Sequence, residues 1–140
     1  MASDPRVLII EDNTANAELA TFVLEHAGFV ANAVTDASDA LALVASFQPD
    51  LILMDIRLSG GDGLALTRAL KSDSATSGIV VVAFTAYAMK GDEARLRAAG
   101  CDAYIAKPID VASFARQVEA ALGAGPPMNL DSLRGELADR

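Results

Sequence analysis

Apolar residues in this chain gather into short unbroken runs, and each run ends on a polar residue of a different kind. Val7-Leu8-Ile9-Ile10 stops at Glu11-Asp12, and Leu51-Ile52-Leu53-Met54 stops at Asp55. Ile79-Val80-Val81-Val82-Ala83-Phe84 ends at Thr85, and Ala103-Tyr104-Ile105-Ala106 ends at Lys107-Pro108. Short runs bounded by turn signals, such as Gln48-Pro49-Asp50 and Gly60-Gly61 around the Asp55 run, predict strands buried on both faces. Phe29 to Val34 is more mixed and suits an edge strand.

Between the runs the spacing becomes helical. Asn13 or Thr14 can cap a first helix whose apolar positions Leu19, Phe22, Val23 and His26 recur at helical spacing, and Gly28 stops it. Asp36, Ala37 and Ser38 begin a short helix with Leu41 and Val44 inward. A third, after Gly63, carries Leu66 and Leu70 on one side and dissolves into Lys71-Ser72-Asp73-Ser74. Met89 to Ala99 has a thin apolar stripe and Gly91, which predicts the least stable and most mobile helix. Val111, Phe114, Val118 and Leu122 mark the inward face of the last.

Strands alternating with helices predict an α/β fold around a mainly parallel sheet, with right-handed crossovers. In such sheets ligands bind outside the carboxyl ends of the strands, where Glu11, Asp12, Asp55, Thr85 and Lys107 all stand. The pattern covers residues 1–123 as one domain. Residues 124–140 form a linker, rich in Gly and Pro, and a segment with Leu130, Leu133 and Leu137 at i, i+3, i+7. That segment suits one short amphipathic helix or a frayed tail, free to dock on the domain, a twin chain or a partner.

Composition narrows the function. The chain has 140 residues, 52% hydrophobic and 21% charged, which describes a folded globular domain. Nineteen acids against eleven bases give a net charge of −8, and the bases are scattered. That balance repels phosphate backbones and anionic lipid, so it argues against nucleic-acid binding. No stretch is long enough for a membrane span, and the start lacks a signal-peptide pattern. With Cys101 the single cysteine, no internal disulfide is available, which suits a reducing cytoplasm.

If the first and third strands are neighbours, three carboxylates converge in one crevice. Coulomb repulsion opposes three ionised acids there unless something compensates. Lys107 supplies one positive charge, and a hard divalent cation supplies two. An all-oxygen site with few protein carboxylates describes Mg²⁺ (or Mn²⁺), which keeps several waters and takes phosphate oxygens. His26 sits a helix away and Cys101 follows a different helix, so zinc does not fit. A carboxylate beside such a cation can act as nucleophile toward phosphorus. The equatorial oxygens then need neutralising partners, for which the cation, Lys107 and Thr85 (or a backbone N–H) are available.

These residues resemble the receiver (CheY-like) domain of two-component response regulators. The likeness rests on Ile10-Glu11-Asp12-Asn13, Leu51 to Asp55, Gly63 eight residues after Asp55, Thr85-Ala86 and Lys107-Pro108, over roughly residues 6 to 123. The stretch Phe84 to Glu93 and Gly100 to Ile105 is similar to DivK-type single-domain regulators, and receivers of hybrid histidine kinases share much of it. The resemblance implies a flavodoxin-like (βα)5 fold with strand order 2-1-3-4-5. It implies Asp55 as phosphoacceptor, Mg²⁺ held by Glu11, Asp12, Asp55 and the backbone carbonyl of Arg57, and a phosphoryl group held by Thr85 and Lys107. The Lys107–Pro108 bond is expected to be cis. One departure is Ser59, four after Asp55, where the family usually has proline; with Gly60 and Gly61 it predicts a looser loop.

The expected function is phosphoryl acceptance from a histidine kinase or phosphotransfer protein, and the chain is not an enzyme acting on a separate substrate. Phosphorylation is expected to draw the Thr85 hydroxyl inward, with Tyr104 turning from a more exposed position and a protein-binding face remade. With no effector domain in the sequence, output is a protein contact or onward transfer of the phosphoryl group, the chain then being a relay intermediate or phosphate sink. Monomer and weak dimer both remain open. Two other classes fit these residues less well. A haloacid-dehalogenase-type hydrolase needs a second acid two after the nucleophile, where this chain has Arg57. A flavodoxin needs hydroxyl and amide donors after the first strand, where this chain has Glu11-Asp12-Asn13-Thr14.

Overall fold

A strand forms at each apolar run; the runs ending at Ile10, Asp55 and Thr85 are buried on both faces in the middle of the sheet, while Ala103–Ala106 lies at an edge and is only partly buried. The structure, a computed structural model, describes residues 4–58, 61–85 and 90–124. Five parallel strands, β1 (Arg6–Ile10), β2 (Val30–Val34), β3 (Leu51–Asp55), β4 (Val80–Thr85) and β5 (Ala103–Ala106), stand in the order β2-β1-β3-β4-β5. This is the order the resemblance implied, with the mixed strand β2 at an edge. The helices are α1 (Thr14–His26), α2 (Ala40–Phe47, after a 3-10 turn at Ala37–Asp39), α3 (Gly63–Ser72), α4 (Lys90–Ala99) and α5 (Phe114–Ala124). A two-residue antiparallel ladder, Arg57–Leu58 with Gly61–Asp62, links β3 to α3.

Alternation along the strands divides the core into two layers. Leu8, Ile10, Ile52, Met54, Val81 and Ala83 face Val44, Leu70 and Leu96 of α2, α3 and α4. Val7, Ile9, Leu51, Leu53, Val82 and Phe84 face Leu24, Phe114 and Val118 of α1 and α5. Short polar side chains cap α1 and α3. Asn13 Oδ1 accepts from the Asn16 N–H at 2.9 Å, and Asp62 Oδ1 accepts from the Leu64 N–H at 2.9 Å. Gly28 and Gly100 adopt positive φ where α1 and α4 end.

Five positions read as the apolar face do not hold, since Leu19, Phe22, His26, Leu41 and Val111 are all exposed. On α1 the buried stripe is Ala17, Ala20, Val23 and Leu24, while Leu19 and Phe22 are exposed. Two stripes one residue apart both satisfy the helical period, and the one with small residues lets the helix lie close on the sheet. Phe22 packs instead on the His26 ring, centroids 4.2 Å apart. Leu41 is exposed because Ala40 and Val44 form the inner face of α2, and it borders an open groove between α2 and α3. Val111 lies in the turn before α5 and is exposed, and the inner face begins at Phe114. On α3 the buried residues are Gly63, Leu64, Thr67 and Leu70, with Leu66 half-buried. The loop at Ser59-Gly60 and the amphipathic segment with Leu130, Leu133 and Leu137 lie outside the described residues.

Candidate functional site

The register of the sheet decides which strand ends meet. Ile10 pairs with Met54, so Glu11 follows beside Asp55. Asp55 pairs with Phe84, which puts Thr85 one residue further along. Thr85 pairs with Ala106, and the Lys107 N–H donates to the Thr85 carbonyl at 2.9 Å. Glu11, Asp12, Asp55, Thr85 and Lys107 therefore line one cleft of about 170 Å³, joined by Asn13, Asn16 and Arg57. The α2–α3 groove is larger, about 700 Å³, but its lining is mostly apolar and it brings no such charges together.

Carboxylate oxygens of Glu11, Asp12 and Asp55 lie within 4.8 Å of one another. Glu11 is fully buried; its Oε1 pairs with the Lys107 ammonium, and its Oε2 accepts from the Asn13 N–H at 3.0 Å. The same ammonium lies 3.4 Å from Asp55 Oδ2 and over the Phe84 ring, 4.9 Å from its centroid. Asp55 Oδ1 accepts from the Arg57 N–H at 3.0 Å. Burial is the main influence pushing the Asp55 carboxyl up, to about 7, and a hydrogen bond with Glu11 and its charge act the same way. The Arg57 N–H and the Lys107 charge oppose the rise.

Among the described residues lining the cleft, three acids face two bases, Lys107 and Arg57, which leaves it short of positive charge. The donors in the acid cluster are carboxylate oxygens, with no sulfur or imidazole among them, and this set suits a hard oxygen-seeking dication rather than zinc. The residues present thus fit the expected ion on the chemistry of their donors.

All five residues expected at the strand ends come together here, and the Arg57 backbone is tied to Asp55. Tyr104 stands apart from the cleft on β5, opposite Ala83 and 43% exposed. The Lys107–Pro108 bond is cis. Sequence reasoning missed Asn16, although its place one turn into α1 from Asp12 was readable. It also missed a brace behind the site. Asp102 Oδ2 accepts from Lys71 Nζ at 2.8 Å and from the Val81 N–H at 2.9 Å, tying α3 to β4 and to the start of β5. Neither partner is near Asp102 in sequence, so no local signal marked it.

A five-stranded doubly wound sheet with acids at two adjacent strand ends and a lysine facing them defines a receiver. The chain belongs to the response regulator receiver domain family, whose model matches residues 7–119. It is thus a signalling protein of the two-component kind, whose members work with kinases or phosphotransfer proteins. Within the family it is similar to the polar-differentiation response regulator DivK of Brucella anthropi, 44% identical over 117 residues, covering 84% of this chain and 95% of that protein. Among solved structures, a putative response regulator from Chloroflexus aurantiacus is similar with TM-score 0.80 and 25% identity, over 86% of this chain and 98% of that one. A CheY-like receiver domain protein from Methanospirillum hungatei matches with TM-score 0.77 and 28% identity, over 86% and 94%. Among the described residues no helix is long and apolar enough to cross a membrane.

Proposed function

We propose that Asp55 accepts a phosphoryl group from a phosphohistidine of a histidine kinase or phosphotransfer protein. In the transfer, an Asp55 carboxylate oxygen attacks phosphorus, the P–N bond breaks, and the imidazole leaves with the electron pair and takes a proton. The product is an acyl phosphate, which water cleaves at the P–O bond to return the carboxylate. Glu11, Asp12, Asp55 and the Arg57 carbonyl would hold Mg²⁺ or Mn²⁺, which supplies positive charge to the phosphoryl oxygens. Lys107 neutralises a further oxygen, and the Thr85 hydroxyl donates to another. The Arg57 N–H fixes one Asp55 oxygen, which leaves the other to act as nucleophile.

The observation that supports this reading best is the meeting of three carboxylates within 4.8 Å beside one lysine. In the same reading Thr85 and Tyr104 form the switch, the face around α4 and β5 carries the output in the cytoplasm, and the protein belongs to a phosphorelay. A haloacid-dehalogenase reading is not favoured, since position 57 holds an exposed arginine rather than an acid. The test is incubation with a small phosphoryl donor with and without Mg²⁺, read by intact mass. Labelling should need the metal and vanish in Asp55→Asn. Equal labelling of both chains would refute the assignment.

A further inference from the structure

We propose that Asn16 is a positioning residue on the metal side of the cleft, its carboxamide oxygen accepting a hydrogen bond from a water on the divalent cation. The inference rests on the metal reading given above and adds to it a residue outside the direct ligands. Asn16 is the third residue of α1, after the cap Asn13. At that position a polar side chain ordinarily turns back to the N–H of the capping residue. Here that N–H is already taken, because it donates to Glu11 Oε2 at 3.0 Å. The cap itself is complete, since Asn13 Oδ1 takes the Asn16 N–H at 2.9 Å. The start of the helix is thus satisfied without the Asn16 side chain. Among the described residues no hydrogen bond engages its carboxamide, which is half-buried and lines the cleft with Asp12 and Asp55.

The chemistry of the other walls decides what Asn16 does there. A small hard cation keeps several of its waters, and those waters turn their protons outward and need acceptors. The side chains of Lys107 and Arg57 only donate, so they cannot serve. Glu11, which in this reading helps to hold the ion, already accepts from Lys107 and from the Asn13 N–H, and the Asn13 oxygen is occupied by the cap. Thr85 ends β4, on the Lys107 side. The neutral acceptor left next to Asp12 is Asn16.

The experiment is a calorimetric titration of the unphosphorylated full chain with Mg²⁺, comparing wild type with Asn16→Leu, Asn16→Asp and Asp12→Asn. Loss of an outer-sphere partner should weaken Mg²⁺ about 10- to 100-fold in Asn16→Leu. Asn16→Asp keeps the acceptor and should bind at least as tightly as wild type. Metal-free melting curves establish that each variant folds, and Asn16→Ala replaces the leucine variant if that one does not. Wild-type affinity in Asn16→Leu, with binding lost in Asp12→Asn, overturns the role of Asn16 alone. Equal loss in Asn16→Asp and Asn16→Leu overturns the acceptor role. Undiminished binding in Asp12→Asn removes the metal reading itself, and this inference with it.

Discussion

Gly63 is the most exposed to test of all the positions around Asp55, because two effects of known size pull in opposite directions there. A Cβ on this residue would meet the Asp55 carbonyl oxygen at 2.1 Å, the Ile56 Cα at 2.8 Å and the Asp55 carbonyl carbon at 3.0 Å. These are backbone atoms at the end of the strand that carries Asp55 and just beyond it, so no side chain can rotate away. Helix α3 cannot easily retreat either. Leu64, Thr67 and Leu70 are buried, the Gly63 N–H donates to the Ile56 carbonyl at 3.2 Å, and the Thr67 hydroxyl donates to the Gly63 carbonyl at 2.8 Å. Even a 3.0 Å contact with the Asp55 oxygen needs the backbone segments to part by about 1 Å.

With room available, Gly→Ala in a helix would stabilise by about 0.4–1 kcal/mol. Overpacking costs about 1–3 kcal/mol, and here it acts on backbone. The expected net for Gly63→Ala is therefore a loss of about 1–2 kcal/mol, seen as a melting midpoint lower by about 3–10 °C. A 1 Å displacement beside a reacting group costs up to about 100-fold in rate, so phosphoryl uptake should slow by about 10- to 100-fold. Gly78→Ala is the control: nothing lies within 4 Å of its added Cβ, so it should melt within about 0.5 kcal/mol of wild type. A Gly63→Ala chain that melts at or above wild type and labels at the wild-type rate would sink the close-approach argument.

Three further outcomes follow from the same geometry. Asp102→Ala removes the acceptor of both Lys71 and the buried Val81 N–H, and should lower stability by about 1.5–3 kcal/mol in urea denaturation, with Asp102→Asn falling between it and wild type. In chelator, the raised Asp55 carboxyl makes the folded state hold a proton that the unfolded state releases, so its contribution is present at low pH and lost as pH rises from 3.8 towards about 7. Asp55→Asn should accordingly gain on wild type in melting midpoint across that window, and a constant difference would count against the buried acid pair. Mg²⁺ at a hundredfold excess over its Kd should stabilise the wild type by about 2.7 kcal/mol, read as a shift in melting midpoint that Asp12→Asn abolishes.

The site was more legible than the helix faces, for a physical reason. Strand ends are marked by an abrupt change from apolar to polar, so Glu11, Asp12, Asp55, Thr85 and Lys107 could be placed at one edge of a parallel sheet without knowing its register. Helix faces depend on which of two adjacent stripes meets the sheet, and hydrophobicity alone favoured Leu19 and Phe22 over Ala17 and Ala20. Close packing chose the alanines. Asn16 and Asp102 escaped notice because an amide and an acid near a helix or strand start usually cap locally. Their actual surroundings come from elements distant in sequence or from a cap already completed by Glu11.

That completed cap also explains how one acid serves the fold and the chemistry together. Glu11 is the most buried of the three carboxylates, and its two oxygens hold the start of α1 and the Lys107 ammonium. Lys107 is thereby anchored between Glu11 and Asp55 by a residue that need not itself react. In the proposed reading, charge added to Asp55 would arrive next to an ammonium already in place, with little side-chain entropy left to lose. Burial and the Glu11 charge disfavour an ionised Asp55, and extra positive charge in the cleft would favour the ionised form.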